Sequence, residues 1–212
     1  FASTCYLGLD QAYVRFYREP PGKAGRSGML TFCLSTSLGF AVVSALLLMI
    51  GWRGISSQVM TEPDFGVYLC LVIFSACLVV FRYLSLSYRM DQNARLYTIQ
   101  GVVQVVFTKI AYLATAFRSA QAKPSIILLT VLMGALTLLF VAMQRRQFDT
   151  GFLRQVDMPF VKTMGAYAAP LIPLALMSWL NSSISAVVLR NLADVSAVGV
   201  YTSALTLAST VN

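Results

Sequence analysis

Seven apolar runs separated by short polar connections make up almost the whole chain: residues 1–14, 28–50, 66–87, 97–117, 124–143, 164–189 and 196–212. Crossing ~30 Å of hydrocarbon takes about 20 apolar residues of helix. Backbone N–H and C=O groups find no water at that depth, so such runs must satisfy themselves as helices. The connections leave no room for a soluble domain. Composition agrees, with 58% hydrophobic and 11% charged residues, against about 25% charged in soluble domains. The expected fold is an all-α, polytopic transmembrane helix bundle. Phe1 is not an initiator Met and Asn212 falls inside an apolar run, so the outermost runs read as truncated helices of a longer protein.

Basic residues set the orientation. Arg15, Arg18, Lys23 and Arg26 fall in the first connection, Arg89 and Arg95 in the third, and Arg145, Arg146, Arg154 and Lys162 in the fifth. The second, fourth and sixth hold Arg53, Arg118, Lys123 and Arg190. Lys/Arg excess marks the cytoplasmic side. Ten against four places the odd-numbered connections there and residue 1 outside. The same bias explains the net charge of +8 without a nucleic-acid partner.

Local signals refine the picture. Glu19-Pro20-Pro21-Gly22-Lys23 cannot continue a helix and marks a cytoplasmic turn. Gln144–Lys162 is the longest polar connection, a fitting boundary between two bundles. Ser37, Ala41 and Ala45 form a small-residue row at i, i+4, i+8, which permits close helix approach. The stretch 167–207 carries Pro170 and Pro173 in an apolar run, then Trp179 and the polar patch Asn181, Ser182, Ser183 and Ser185. Proline frees a carbonyl and bends the axis, so a kinked helix facing other helices is expected, its prolines either a hinge or a static kink.

Cys5, Cys33, Cys70 and Cys77 all fall in apolar runs without metal-site or disulfide spacing. Histidine is absent, and no nucleophile–base pair or phosphate loop is present. The chain therefore reads as a transporter rather than an enzyme, with no cofactor and no metal.

A few polar residues stand inside apolar runs, where charge is costly and usually faces a bundle interior or water. Lys109 lies mid-run, either attracting an anion in a solvated cavity or snorkelling to an interface. Gln100, Gln104 and Thr108 run along a neighbouring face, about 140° from Lys109, with Tyr112 the polar neighbour that Lys109 can reach. Arg82 sits toward the cytoplasmic end of its run, lining a vestibule or snorkelling. Asp10 is the acidic residue best placed inside an apolar run, with Arg15 just over a turn later, giving either a coupling-ion site or a structural partner for an arginine.

Two stretches resemble a known family. Gly8, Leu9, Asp10, Arg15, Phe16 and Tyr17 are similar to the end of the second helix in bacterial polysaccharide (O-antigen and exopolysaccharide) flippases of the MOP exporter superfamily. Tyr167, Pro170, Pro173, Trp179 and Val198-Gly199-Val200-Tyr201 resemble their seventh and eighth helices. The resemblance implies a MATE-like fold of two six-helix lobes in a V. Residues 1–158 would belong to the N-terminal lobe and 159–212 to the first two helices of the second. It further implies alternating-access movement of undecaprenyl-diphosphate-linked oligosaccharide across the bacterial inner membrane for surface polysaccharide synthesis, coupled to an ion gradient. Membrane lipids and a polysaccharide polymerase are the implied partners. Lys109 and Arg82 would then serve the diphosphate, and Gln100, Gln104 and Asn181 the sugar hydroxyls. Members often carry an Asp-Arg pair after the Trp and Asn; here Ser183-Ile184-Ser185 stands instead, and no role is carried over through that pair. The rival readings are a MATE-type multidrug antiporter, which favours acidic cavities, a lipid II flippase, and, more remotely, a seven-helix receptor.

Overall fold

A computed structural model describes residues 5–20, 25–52, 64–118, 122–148, 156–192, 199–201 and 204–205. Among them the chain is helical with no strand. The elements are α1 (Leu9–Phe16), α2 (Arg26–Met49), α3 (Phe65–Met90), α4 (Ala94–Arg118), α5 (Ala122–Gln144), a 3₁₀ turn (Arg145–Gln147), α6 (Met158–Ala168) and α7 (Leu171–Leu192). Five segments are long and apolar enough to cross a membrane: Arg26–Met49, Phe65–Met90, Ala94–Thr115, Lys123–Gln144 and Met158–Ser178. Their outer faces are apolar and exposed, as at Leu47 (65%) and Leu138 (71%). That pattern suits a lipid solvent and not water.

α3 is the hub, packing against α1, α2, α4 and α5. The small-residue row of α2 is buried at Ser37, Ala41 and Ala45. It faces α3: Ser37 Oγ and Tyr83 Oη stand 2.8 Å apart, and Tyr68 Oη donates to the Ala45 carbonyl. On the other side, side-chain amides and a hydroxyl reach the α3 backbone at three levels. Thr130 Oγ1 donates to the Cys70 carbonyl at 3.3 Å, Gln100 Nε2 to that of Phe81 at 3.3 Å, and Gln144 Nε2 to that of Leu84 at 3.3 Å. Such interhelical bonds in bilayers average about 0.6 kcal/mol each, so they fix register more than they add stability. Phe81 and Phe140 complete this contact edge to face, with centroids 5.6 Å apart.

The ends of the helices explain the alternating path of the chain. Asp64 caps α3, its Oδ1 accepting from Gly66 N at 2.7 Å. Its carboxylate also pairs with Lys123, tying the second connection to the fourth. Lys123, then the Gly66 amide, hold this carboxyl below the usual range. At the opposite end, Gln92 adopts φ +56°, and α3 closes with Gln92 N→Arg89 O at 3.2 Å and Asn93 N→Tyr88 O at 3.0 Å, the paired bonds of a Schellman turn. There Tyr17 Oη donates to Asp91 Oδ1, Gln147 Nε2 donates to Asp91 Oδ2 at 3.0 Å, and Ser87 Oγ donates to Gln147 Oε1 at 2.7 Å. The first, third and fifth connections thus meet at one end of the bundle. Burial first, then Asp91, push the Tyr17 phenol up to about 12.

Two expectations need correction, and a third is refined. Residues 1–14 are not one helix: Leu7 (φ +50°) and Gly8 (φ +71°) break the chain, and α1 starts at Leu9. The run 164–189 is kinked as expected: the helix is interrupted at Ala169-Pro170, between α6 and α7, with Pro173 inside α7. Ala169 keeps helical backbone angles, and Met158–Ser178 still runs as one span. The long connection after α5 is shorter than expected. Asp157 and Pro159 start α6, since proline suits a first helical turn, and Lys162 lies within that helix. The turn 21–24 and most of 196–212 lie outside the described residues.

Candidate functional site

α1, α3, the end of α6 and the first half of α7 enclose a cavity of about 620 Å³. Its charged centre is Arg82 and Asp10, with Arg82 Nη2 3.4 Å from Asp10 Oδ2. The Asp10 side chain is 10% exposed and that of Arg82 44%. The carboxylate is therefore set into the wall while the guanidinium reaches the opening. Gln11 Nε2 adds a long 3.5 Å bond to the same Asp10 oxygen.

Each element brings its residue here for a local reason. The left-handed Gly8 lets α1 begin against the α6–α7 turn: a Cβ there would sit 2.8 Å from Leu171 Cβ and 3.0 Å from the Ala168 carbonyl. That contact carries Asp10, two residues on, into the core. α1 and α6 are held together by a cluster that includes Leu9, Ala12, Met29, Phe160 and Met164. Tyr167 stacks edge to face on Phe16 at 5.6 Å and turns the end of α6 toward the cavity. Tyr6 does likewise on Tyr83, at 6.3 Å. Leu171, Leu174, Ala175 and Ser178 of α7 supply the facing wall.

The residues singled out from sequence divide clearly. Arg82 and Asp10 line the cavity together. Arg15 does not partner Asp10; it is exposed on α1, its guanidinium 5.8 Å from the Phe16 ring centroid. Gln100 is fully buried between α4 and α3, and its Oε1 has no hydrogen-bond partner. Gln104 is half-buried on α4. Lys109 is exposed on α4 near Val106, Ile110 and Leu113, and the side chain of Tyr112 lies outside the described set. Asn181 is exposed on α7, three residues beyond Ser178, and Pro170 and Pro173 are exposed near its start. None of Gln100, Gln104, Lys109, Asn181, Pro170 or Pro173 lines the cavity.

Tyr6, Gln11 and Ser178 belong to the site although the sequence did not single them out. Gln11 adjoins Asp10 and Tyr6 stands four positions before it, so nearness in sequence to the anomalous acid was the available signal. Among the described residues no group of three or more His, Cys, Asp or Glu side chains is placed to hold a metal ion.

Five helices long and apolar enough to cross a membrane are consistent with a multi-pass membrane protein. Two of them, Phe65–Met90 and Met158–Ser178, contribute to the cavity that holds Asp10 and Arg82. The chain matches no protein-family model, no curated protein and no solved structure.

Proposed function

We propose that this chain is part of a MATE-like polysaccharide flippase that moves undecaprenyl-diphosphate-linked oligosaccharide across the bacterial inner membrane by alternating access. Residues 1–158 would form the first lobe and 159–212 the start of the second. The observation that carries the reading is Arg82, a half-exposed guanidinium in a cavity among spanning helices. A guanidinium presents five N–H donors. The contact with Asp10 engages Nη2, which leaves donors for the oxygens of a diphosphate. Inside a bundle such a contact is far stronger than in water. Tyr6, Gln11, Tyr167 and Ser178 supply hydroxyl and amide partners suited to sugar hydroxyls, in place of Gln100, Gln104 and Asn181.

The test is made in cells lacking the intact gene, by asking on which leaflet lipid-linked sugars lie. Accumulation on the cytoplasmic leaflet with loss of surface glycan is the expected result. Normal surface glycan and normal intermediates, in a strain with no redundant flippase, would defeat the reading.

One observation favours a second reading, a MATE-type antiporter: the buried carboxylate of Asp10 also lines the cavity. A cationic drug needs such a carboxylate free of a protein cation, whereas Arg82 engages it. Drug efflux that survives Arg82→Gln and is lost with Asp10→Asn would support the antiporter.

A further inference from the structure

A second, smaller cavity of about 290 Å³ opens at the end of the bundle where the odd-numbered connections meet. Three arginines line it: Arg15 from the last turn of α1, Arg18 just beyond that helix, and Arg89 from the last turn of α3. Basic residues in a final helical turn complement the helix dipole, which accounts for Arg15 and Arg89 singly. It does not account for three guanidiniums from two separate elements converging on one concavity. Their only carboxylate neighbour in the lining is Glu19. No ion pair within 4.0 Å involves Arg15, Arg18, Arg89 or Glu19 among the described residues. The remaining wall includes Val14 and Met90, so an apolar surface continues from the charged mouth.

We propose that this cavity binds a phosphate-bearing anion, through guanidinium–phosphate bonds, at the level where the apolar span of α3 ends. Arginine suits this ligand because its planar fork meets two phosphate oxygens at once. Basic pockets between helices at a membrane interface have the chemistry to hold an anionic headgroup. A lipid headgroup and a soluble molecule both carry such a phosphate, and the chemistry at the arginines is the same. The site is separate from the Arg82 cavity and does not rest on the flippase reading.

Native mass spectrometry of the full-length protein, delipidated in detergent, tests this with phosphatidylglycerol, phosphatidylcholine and inorganic pyrophosphate as probes. The wild type is expected to retain phosphatidylglycerol in preference to phosphatidylcholine. A hydrogen bond to a charged group is worth roughly tenfold or more, so R15Q/R18Q/R89Q is expected to weaken retention at least about a hundredfold. R95Q/R145Q/K162Q removes the same charge from residues that do not line the cavity and is expected to change retention by less than about threefold, because no direct bond to the phosphate is lost. Displacement of phosphatidylglycerol by pyrophosphate identifies a site open to soluble phosphates, and selective retention without displacement identifies a lipid-headgroup site. Equal loss in both triple variants, or equal retention of the two lipids by the wild type, overturns the proposal. The wild-type lipid comparison decides the matter even if a triple variant does not fold.

Discussion

The carboxylate of Asp10 and the guanidinium of Arg82, 72 positions apart in the chain, meet at 3.4 Å across the α1–α3 contact. The acid is the buried partner and the base the exposed one, so their removal should not be symmetrical. Arg82→Gln leaves a buried carboxylate without its cation, whereas Asp10→Asn leaves an arginine that can turn to solvent. Breaking a fully buried pair costs about 3–5 kcal/mol, and half-exposure of Arg82 reduces this to about 1–3 kcal/mol. R82Q is expected to lower the melting temperature more than D10N. The double variant should recover part of the loss in a thermodynamic cycle.

Gly8 gives a sharper test of how the cavity is built. Its left-handed backbone and the 2.8 Å approach to Leu171 Cβ both exclude a side chain. Gly8→Ala is expected to destabilise by about 2 kcal/mol, from backbone strain of 1–2 kcal/mol and the clash besides. Gly101→Ala is its control. A Cβ there meets nothing within 4 Å, and alanine in a helix gains up to about 1 kcal/mol over glycine. Chemical denaturation in detergent compares the two.

The spans were largely legible in the sequence and the pairings were not. Apolar length alone placed α2, α3, α4 and α5 within a few residues, because a membrane helix needs no partner to declare itself. The Ser37–Ala41–Ala45 row was legible for the same reason, since a small-residue stripe has one common use. The break at Leu7-Gly8 was hidden because apolar character continues through it, and left-handed geometry leaves no hydropathy signal. Pro170 and Pro173 suggested a bend, and the helix is interrupted at Ala169-Pro170 within the one span Met158–Ser178, because proline announces a missing backbone donor directly. Asp10 was visible as an anomalous acid, but its nearest arginine in sequence, Arg15, is not its partner. Only packing could choose Arg82. Lys109 was visible as a mid-run charge, and it stands on an exposed face of α4, outside the Arg82 cavity.

Ser37 tests the α2–α3 seam. It is fully buried and bonded to Tyr83 at 2.8 Å. Ser37→Leu is expected to force the helices apart, at about 1–3 kcal/mol for overpacking, plus the loss of the bond. Tyr83→Phe removes the bond alone and should cost about 1 kcal/mol. Melting temperatures in a fixed detergent should rank wild type above Y83F above S37L.

The Asp64–Lys123 tie should respond to acid. Lys123 and the Gly66 amide hold the Asp64 carboxyl below its ordinary value, which is about 3.9 when unfolded. A depressed carboxyl contributes its stability above the unfolded value and loses it as pH falls through the folded one. The gap in melting temperature between wild type and Asp64→Asn is therefore expected to be constant from pH 7 to about pH 5 and to close below about pH 4. The pair is open to solvent, with the Lys123 side chain half-exposed and that of Asp64 one-third exposed, so high salt should shrink the gap at every pH.

The most direct test of the transport account is complementation of a strain lacking the intact gene by single variants of the full-length protein, scored by surface glycan. Wild type and Lys109→Gln are expected to restore the glycan, because Lys109 does not line the cavity. Arg82→Gln is expected to reduce it at least tenfold at equal membrane abundance, and Arg82→Lys to restore part of it, since lysine keeps the charge but loses the fork. Full restoration by Arg82→Gln would contradict the claim that this guanidinium holds the diphosphate.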